Sequence, residues 1–105
     1  MTTVYSVTIH TTKPADKAWW GPTNPTKSAA IRAVTTATAG LISSSGAQSP
    51  SDANVWVVHQ LWTNKAAYDA YAAGLATNTY YQERNAFGAA NGFVTTRNMA
   101  EITLA

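Results

Sequence analysis

The sequence contains no cysteine. This excludes disulfides, thiolate nucleophiles, and zinc or iron–sulfur sites that depend on cysteine. Charge is also scarce: charged residues make up 11% of the chain, against about 25% in typical globular proteins. A chain with so few charges has either a neutral polar surface or a surface that is largely covered by a partner.

Long hydrophobic runs are missing as well, since no apolar stretch approaches the roughly 18 residues of a membrane span. Residues 1–5 do not combine a basic segment with an apolar one, as a signal peptide does. The net charge is +2, and the seven basic residues are scattered rather than gathered into a stripe. We therefore expect a soluble, cytoplasmic protein with neither a membrane nor a nucleic acid as partner.

What is present is a regular succession of elements over one domain, residues 1–105. Alternating or apolar β-branched stretches predict strands at 4–11, 41–48, 54–62 and 93–104. Helical spacing predicts helices that run from Asn24 or Thr26 to Ala39, from 64 to 73 after a Thr63 cap, and from 77 to 90, with Gly74 as an interruption. Residues 13–25, rich in proline, are predicted to form a long loop.

This order of elements predicts a ferredoxin-like α+β fold, βαββαβ, with a four-stranded antiparallel sheet and its helices on one face. The strand 54–62 is apolar on both faces apart from His59 and Gln60, and it includes Trp56 and Trp62. An uncovered face of this kind indicates an interface, and a second copy related by a twofold axis is its simplest cover. We therefore predict a homodimer in which two such sheets pair into a dimeric α/β barrel.

Residues 41–71 carry a family resemblance. They read Leu-Ile-Ser-Ser-Ser-Gly, a short turn, Val-Trp-Val-Val-His-Gln-Leu-Trp, and then Thr-Asn-Lys-Ala-Ala-Tyr-Asp-Ala-Tyr. This pattern resembles the dimeric α/β-barrel superfamily, and within it the antibiotic-biosynthesis-monooxygenase-like group. The resemblance implies a ligand cavity between the sheet and its helices. The superfamily includes cofactor-free monooxygenases, haem-degrading monooxygenases and polyketide cyclases.

The residues that carry those activities match this chain only in part. Compared with the haem-degrading members, Tyr71 stands at the position of a helical tryptophan, and Tyr81 falls near that of the haem-ligating histidine. Compared with the polyketide cyclase, Tyr71 matches a helical tyrosine, whereas Thr77 and Tyr5 fall near its two histidines. Neither activity carries over, and we predict no cofactor.

The two histidines are the candidate catalytic residues. His10 and His59 lie on strands that we expect to be adjacent and parallel, and an imidazole in a pocket can act as a general base. The alternative, which we favour, is that His59 is a core residue and His10 lies in solvent at a strand end. No carboxylate is close in sequence to either residue, and two histidines alone form a poor metal site, so we predict no metal.

The candidate ligand-binding residues are aromatic: Tyr71, Trp62, Tyr5, Tyr81 and Trp20. Phenols and indoles can line an aromatic pocket and hydrogen-bond an oxygenated ligand. For any one tyrosine the alternative is ordinary packing between helix and sheet. Trp20, next to Trp19 in the long loop, could form a lid over a pocket or a plug that seals the barrel end.

Together these observations favour a protein that binds a largely apolar, oxygenated small molecule, such as an aromatic polyketide or an oxidised fatty acid. If it is an enzyme, the resemblance implies a cofactor-independent monooxygenase. A substrate carbanion would react with dioxygen, His59 or His10 would be the base, and Tyr71 and Trp62 would position the ring. The alternative is a non-catalytic structural or assembly module. A pocket above roughly 300 Å³ favours the first hypothesis, whereas a filled barrel favours the second.

Overall fold

The computed structural model describes residues 2–104. Within them the elements are β1 (Thr2–Thr12), α1 (Trp20–Thr23), α2 (Pro25–Ala37), β2 (Leu41–Gln48), β3 (Val55–Trp62), α3 (Lys65–Leu75), α4 (Thr79–Ala90) and β4 (Val94–Leu104). The strands form one sheet in the order β2-β3-β1-β4, and every neighbouring pair is antiparallel. The predicted ferredoxin-like α+β fold is confirmed.

Strands β1 and β3 are adjacent, as predicted, but the prediction that they run parallel is wrong. The crossover through α2 makes β2 parallel to β1, although the two strands are not neighbours. The short reversal after β2 then turns β3 back, so that β3 lies antiparallel to β1, with His59 opposite Thr8 and His10 opposite Val57.

The stretch predicted as a loop, residues 13–25, contains the short helix α1 and the first residue of α2. Proline suits the first turn of a helix, where its missing N–H is not needed, and Pro25 occupies that position in α2. Asn24 precedes it without capping it, because its amide nitrogen instead donates to the Trp20 carbonyl at 3.0 Å. The helix ends two residues earlier than predicted, and Gly40 follows with a φ of 91°.

Asparagine side chains begin the next two helices. Asn64, not the predicted Thr63, caps α3, since its Oδ1 accepts the Ala67 N–H at 2.9 Å. Gly74 does not interrupt this helix, which continues to Leu75. Asn78 caps α4 in the same way by accepting the Tyr81 N–H at 3.0 Å, so this helix begins two residues later than predicted.

The core lies on one face of the sheet. Strand register places Tyr5 and Val7 of β1 beside Trp62 and Gln60 of β3 on the face that the helices cover. Tyr68 of α3 packs onto this group. A second buried cluster lies where α1, α2 and α3 pack against one another, and it consists of Trp20, Ile31 and Leu75.

The opposite side of the sheet, here called the open face, is formed by alternate residues from β1, β2, β3 and β4. Those near its centre are Thr8, His10, Ala47, Val57, His59, Leu61, Thr96, Asn98 and Ala100. None of these side chains is acidic, and the two histidines are its only basic ones. A sheet face that is apolar or neutral throughout can pair with another protein surface without burying a charge. Among residues 2–104, no helix is long and apolar enough to cross a bilayer.

Candidate functional site

A cavity of about 1130 Å³ lies between the helix-covered face of the sheet and the helices α1, α2, α3 and α4. Its wall is rich in rings: Trp19, Trp20, Trp56, Tyr68, Tyr71, Tyr81 and Phe93. Cavities that hold small molecules usually measure roughly 300–1,000 Å³ and are mostly apolar and aromatic. The cavity is therefore large enough for a small molecule, and the barrel is not filled by its own side chains.

The charged groups on the cavity wall are all cationic. Arg32, Arg84 and Arg97 line it, and no aspartate, glutamate or histidine of the described residues does so. Guanidinium groups offer hydrogen-bond donors only and remain charged at physiological pH. The cavity therefore suits a ligand with an anionic or oxygen-rich group.

Two of these arginines converge on one phenol. Nη2 of Arg97 donates to the Tyr81 hydroxyl oxygen at 3.2 Å. The guanidinium carbon of Arg84 lies 4.8 Å from the centre of the Tyr81 ring, within cation–π range. Desolvation by the surrounding protein lowers the pKa of the Arg84 guanidinium, and the neighbouring charge of Arg97 adds to that effect, whereas Tyr81 and Tyr71 oppose it.

This pair of cations forms a subsite that an anion would stabilise. No carboxylate is within ion-pair distance of either guanidinium among the described residues, whose ion pairs join Lys27 to Glu83 and Lys65 to Asp69. A partly desolvated guanidinium without a counter-ion gains from a carboxylate, a phenolate or an enolate. What such a subsite can do chemically is stabilise the charge of an anion.

Gln60 supplies a further donor and is a buried polar residue on β3, only 4% exposed. Its Oε1 accepts the indole N–H of Trp62 at 3.2 Å. Because an indole can only donate, this bond turns the amide nitrogen of Gln60 away from Trp62. That nitrogen has no partner among the described residues, and Gln60 lines the cavity, so its N–H groups are available to a ligand oxygen.

The floor of the cavity is a cluster of aromatic rings that lie tilted or edge-on to one another. The Tyr71 ring lies 4.8 Å from the Trp62 ring and 6.2 Å from the Tyr68 ring, measured between centroids. Burial raises the pKa of the Tyr68 phenol, and the Arg97 charge partly offsets that rise. Tyr68 is therefore a neutral hydroxyl at physiological pH. Rings held against one another in this way present a rigid surface for a flat ligand.

The five predicted ligand-binding residues divide into two groups. Tyr71, Tyr81 and Trp20 line the cavity. Trp62 and Tyr5 do not line it and instead belong to the core beneath Tyr68. Trp20 is 4% exposed and packs on Ile31 and Leu75, which fits the description of a plug better than that of a lid.

The two predicted catalytic residues lie elsewhere. His10 and His59 alternate with the residues that face the helices, and both side chains are on the open face, exposed to solvent within this chain. They lie near each other, as diagonal neighbours on paired strands. Neither imidazole reaches the cavity, so the geometry gives no support to histidine as the base there.

Arg84, Arg97 and Gln60 are site residues that the sequence analysis did not select. A polar residue within an apolar strand was a usable signal for Gln60. Arg84 follows Tyr81 by three residues and so shares its helix face, which was a weaker signal. Arg97 belongs to the last strand, and its approach to Tyr81 depends on how α4 packs against β4.

Several solved structures have the same fold as this chain but share little sequence identity with it. A conserved protein from Methanosarcina mazei shares 11% identity at a TM-score of 0.69, with 92% of this chain and 90% of that chain covered. A Deinococcus radiodurans protein provisionally named an antibiotic biosynthesis monooxygenase shares 11% identity at a TM-score of 0.68, covering 95% and 94%. No protein-family model matches the sequence, and the search of curated proteins finds no match.

The chain therefore has the fold of the antibiotic-biosynthesis-monooxygenase-like proteins, as the resemblance predicted. A characterised example with this fold is SnoaB from Streptomyces nogalater, a cofactor-independent oxygenase. It shares 14% identity with this chain at a TM-score of 0.59, with 100% of this chain and 95% of that chain covered. At such low identity the likeness concerns the fold, and the activity must be argued from the cavity.

Proposed function

We propose that this protein binds a flat, aromatic small molecule with an anionic oxygen group in the cavity between its sheet and helices. The observation that carries the proposal is the combination of an aromatic wall with Arg84 and Arg97, which lie together at Tyr81 without a carboxylate partner. The rings would cover the faces of the ligand, and the guanidinium groups and Gln60 would bind its oxygens.

Cofactor-independent oxidation is the reaction that fits such a complex. A ring activated by an ionised hydroxyl group can react directly with dioxygen. One oxygen atom enters as a carbonyl, and the other leaves as water together with two hydrogens of the substrate. Because no histidine or carboxylate of the described residues lines the cavity, we assign the ionisation to the arginines, which would lower the pKa of the hydroxyl group so that its proton passes to bulk water and the anion binds. The aromatic wall would exclude water from the reacting ring.

The binding step predicts a charge-dependent affinity. Arg84→Gln and Arg97→Gln are each expected to weaken binding of naphthoate about tenfold, because a charge-assisted hydrogen bond is lost. Affinity for the neutral naphthamide should change little, and Lys65→Gln, which removes a cation that does not line the cavity, should alter neither. Isothermal titration calorimetry measures all the affinities. Equal losses for the acid and the amide would contradict the charge role of the arginines.

The catalytic step is tested with a dihydroxynaphthalene that binds, because one of its hydroxyl groups can ionise beside the arginines while the other remains a donor. The protein is incubated aerobically with it, and the product is examined by mass spectrometry. We expect a product that has gained one oxygen atom and lost two hydrogens, formed faster than in buffer and more slowly with Arg84→Gln. Tight binding without any such product would restrict the proposal to ligand binding.

We further propose that the protein works as a homodimer paired through the open face. That face holds Val57 and Leu61 among neutral polar side chains, and a twofold interface needs only one self-complementary surface. His10 and His59 would then lie in the interface, where their polar imidazoles could bond across it.

The dimer makes a clear prediction for Val57→Lys, which places two like charges in the interface of each dimer. We expect this variant to be a monomer at concentrations where the natural sequence is a dimer, because burying an unpaired ammonium group is costly. Ala66→Lys adds the same charge on the exposed side of α3 and should remain dimeric. Native mass spectrometry over a concentration series distinguishes them. A monomeric natural protein throughout would contradict the proposed dimer.

A further inference from the structure

Thr35 of α2 is a buried hydroxyl-bearing residue, 8% exposed, at the edge of the cavity. Its Oγ1 lies 2.7 Å from the hydroxyl oxygen of Tyr71 and 3.3 Å from the carbonyl oxygen of Ile31, one helical turn earlier. Three oxygen atoms, two of them carrying a hydroxyl proton, are therefore close together. The direction of the hydrogen bonds among them decides whether Tyr71 can donate to a ligand or only accept from it.

The arrangement that satisfies both protons has a definite direction. A carbonyl oxygen can only accept, so the Thr35 hydroxyl donates to Ile31, as threonine hydroxyls in helices commonly do. The Tyr71 phenol, a stronger donor than an aliphatic alcohol, then donates to Thr35. The reverse direction would leave the Ile31 contact without a proton and the phenolic proton without a partner among the described residues. Buried polar groups are rarely left in that condition.

Packing holds the phenol in this position. The Tyr71 ring packs against both Trp62 and Tyr68, at centroid distances of 4.8 and 6.2 Å, and those two rings lie 5.8 Å from each other, so the three form one cluster. Tyr71 cannot swing away from Thr35 without breaking its contacts in that cluster. The Tyr71 oxygen therefore stays at the cavity wall. Its proton is already used in the hydrogen bond to Thr35, so only its lone pairs can interact with a ligand.

We infer that Thr35 is a positioning residue that makes Tyr71 a hydrogen-bond acceptor, and that the ligand presents a hydroxyl donor at Tyr71 and an anionic or carbonyl oxygen at Arg84 and Arg97. This inference rests on the proposed function and narrows its ligand class to hydroxylated aromatic acids or their ionised enol equivalents. The opposite polarities of the two positions would fix which end of the molecule enters first.

The experiment compares two naphthoates, one with a hydroxyl group and one with a methoxy group at the far end of the ring system from the carboxylate. Calorimetry should show that the natural protein prefers the hydroxyl compound about five- to tenfold, the range expected for one hydrogen bond. Thr35→Val keeps the side-chain shape but removes the acceptor for Tyr71. The phenol can then donate to the methoxy oxygen, and the preference should fall to about twofold or less.

Two further variants separate this role from a merely structural one. Thr35→Ser retains the hydroxyl and should restore the preference, whereas Tyr71→Phe should abolish it. Thr26→Val, a matched substitution on the exposed side of α2, should leave it unchanged. An unaltered preference in Thr35→Val would overturn the role of Thr35.

The outcomes also distinguish the inference from the function on which it rests. If the natural protein binds both naphthoates equally well, the assignment of Tyr71 as an acceptor is wrong, while the proposed binding function stands. If the natural protein binds neither compound, the proposed function itself fails, and the inference fails with it.

Discussion

Trp62→Ala is expected to lower the free energy of unfolding by about 3–5 kcal/mol, the usual cost of removing a large buried aromatic side chain. Trp62 is fully buried, at 0% exposure. Its ring contacts Tyr68 and Tyr71, at centroid distances of 5.8 and 4.8 Å, and its indole N–H donates to Gln60. The substitution would leave a cavity under both tyrosines and free the Gln60 side chain.

Trp56 provides the comparison, since it lies on the same strand and the same sheet face but is 38% exposed. Trp56→Ala should therefore cost clearly less, because only part of the ring leaves an apolar environment. Urea unfolding monitored by circular dichroism measures both free energies. Small domains have total stabilities of about 5–15 kcal/mol, so the Trp62 variant should show a large shift in its midpoint. A loss no greater than that of Trp56→Ala would contradict the central place of Trp62 in the core.

Gly40→Ala is expected to destabilise the fold by roughly 2–5 kcal/mol, the sum of a backbone and a packing effect. Gly40 has a φ of 91°, a conformation that residues with a Cβ rarely adopt. A Cβ built there would lie 2.6 Å from the Cβ of Ala67 and 3.1 Å from Oγ1 of Thr63. Neither neighbour can move away freely, because Ala67 is on α3 and the Thr63 N–H donates to the Gly40 carbonyl at 2.8 Å.

Gly74→Ala is the matched control for this prediction. Gly74 lies within α3 at a negative φ, and a Cβ there would meet no atom within 4 Å. Since alanine is a better helix former than glycine, the change should stabilise the protein by about 0.5–1 kcal/mol. Thermal and urea unfolding of the two variants should move in opposite directions, and a similar shift for both would refute the argument.

Much of this fold could be predicted from local patterns in the sequence. The alternation of Tyr5, Val7 and Ile9 with polar residues defines β1, and it already places His10 on the opposite side of the strand from Tyr5. The prediction of β2 was correct at both ends, and β3 and β4 differ from prediction by one residue at their starts. Helix boundaries were less accurate, because several asparagines and threonines lie close together and any of them could form the cap.

The candidate site was harder to predict, because it depends on contacts between residues distant in sequence. Tyr71 was identified through a family resemblance, but its bond to Thr35 joins two helices 36 positions apart. The approach of Arg97 to Tyr81 likewise follows from how a strand and a helix pack. The face of His59 depends on whether Trp62 points toward the helices, since side chains three residues apart on a strand lie on opposite faces. A strand that is apolar on both faces leaves that choice open.

The position of the tryptophans has a consequence for how the protein can be observed. Trp19, Trp20 and Trp56 line the cavity, and Trp62 lies directly beneath it against Tyr71. All four tryptophans of the chain are thus within or next to one site. The intrinsic fluorescence of the protein therefore originates at the cavity wall, and an aromatic ligand that absorbs in the near ultraviolet would quench it on entry. Ligand binding to the cavity can therefore be followed by tryptophan fluorescence without a label.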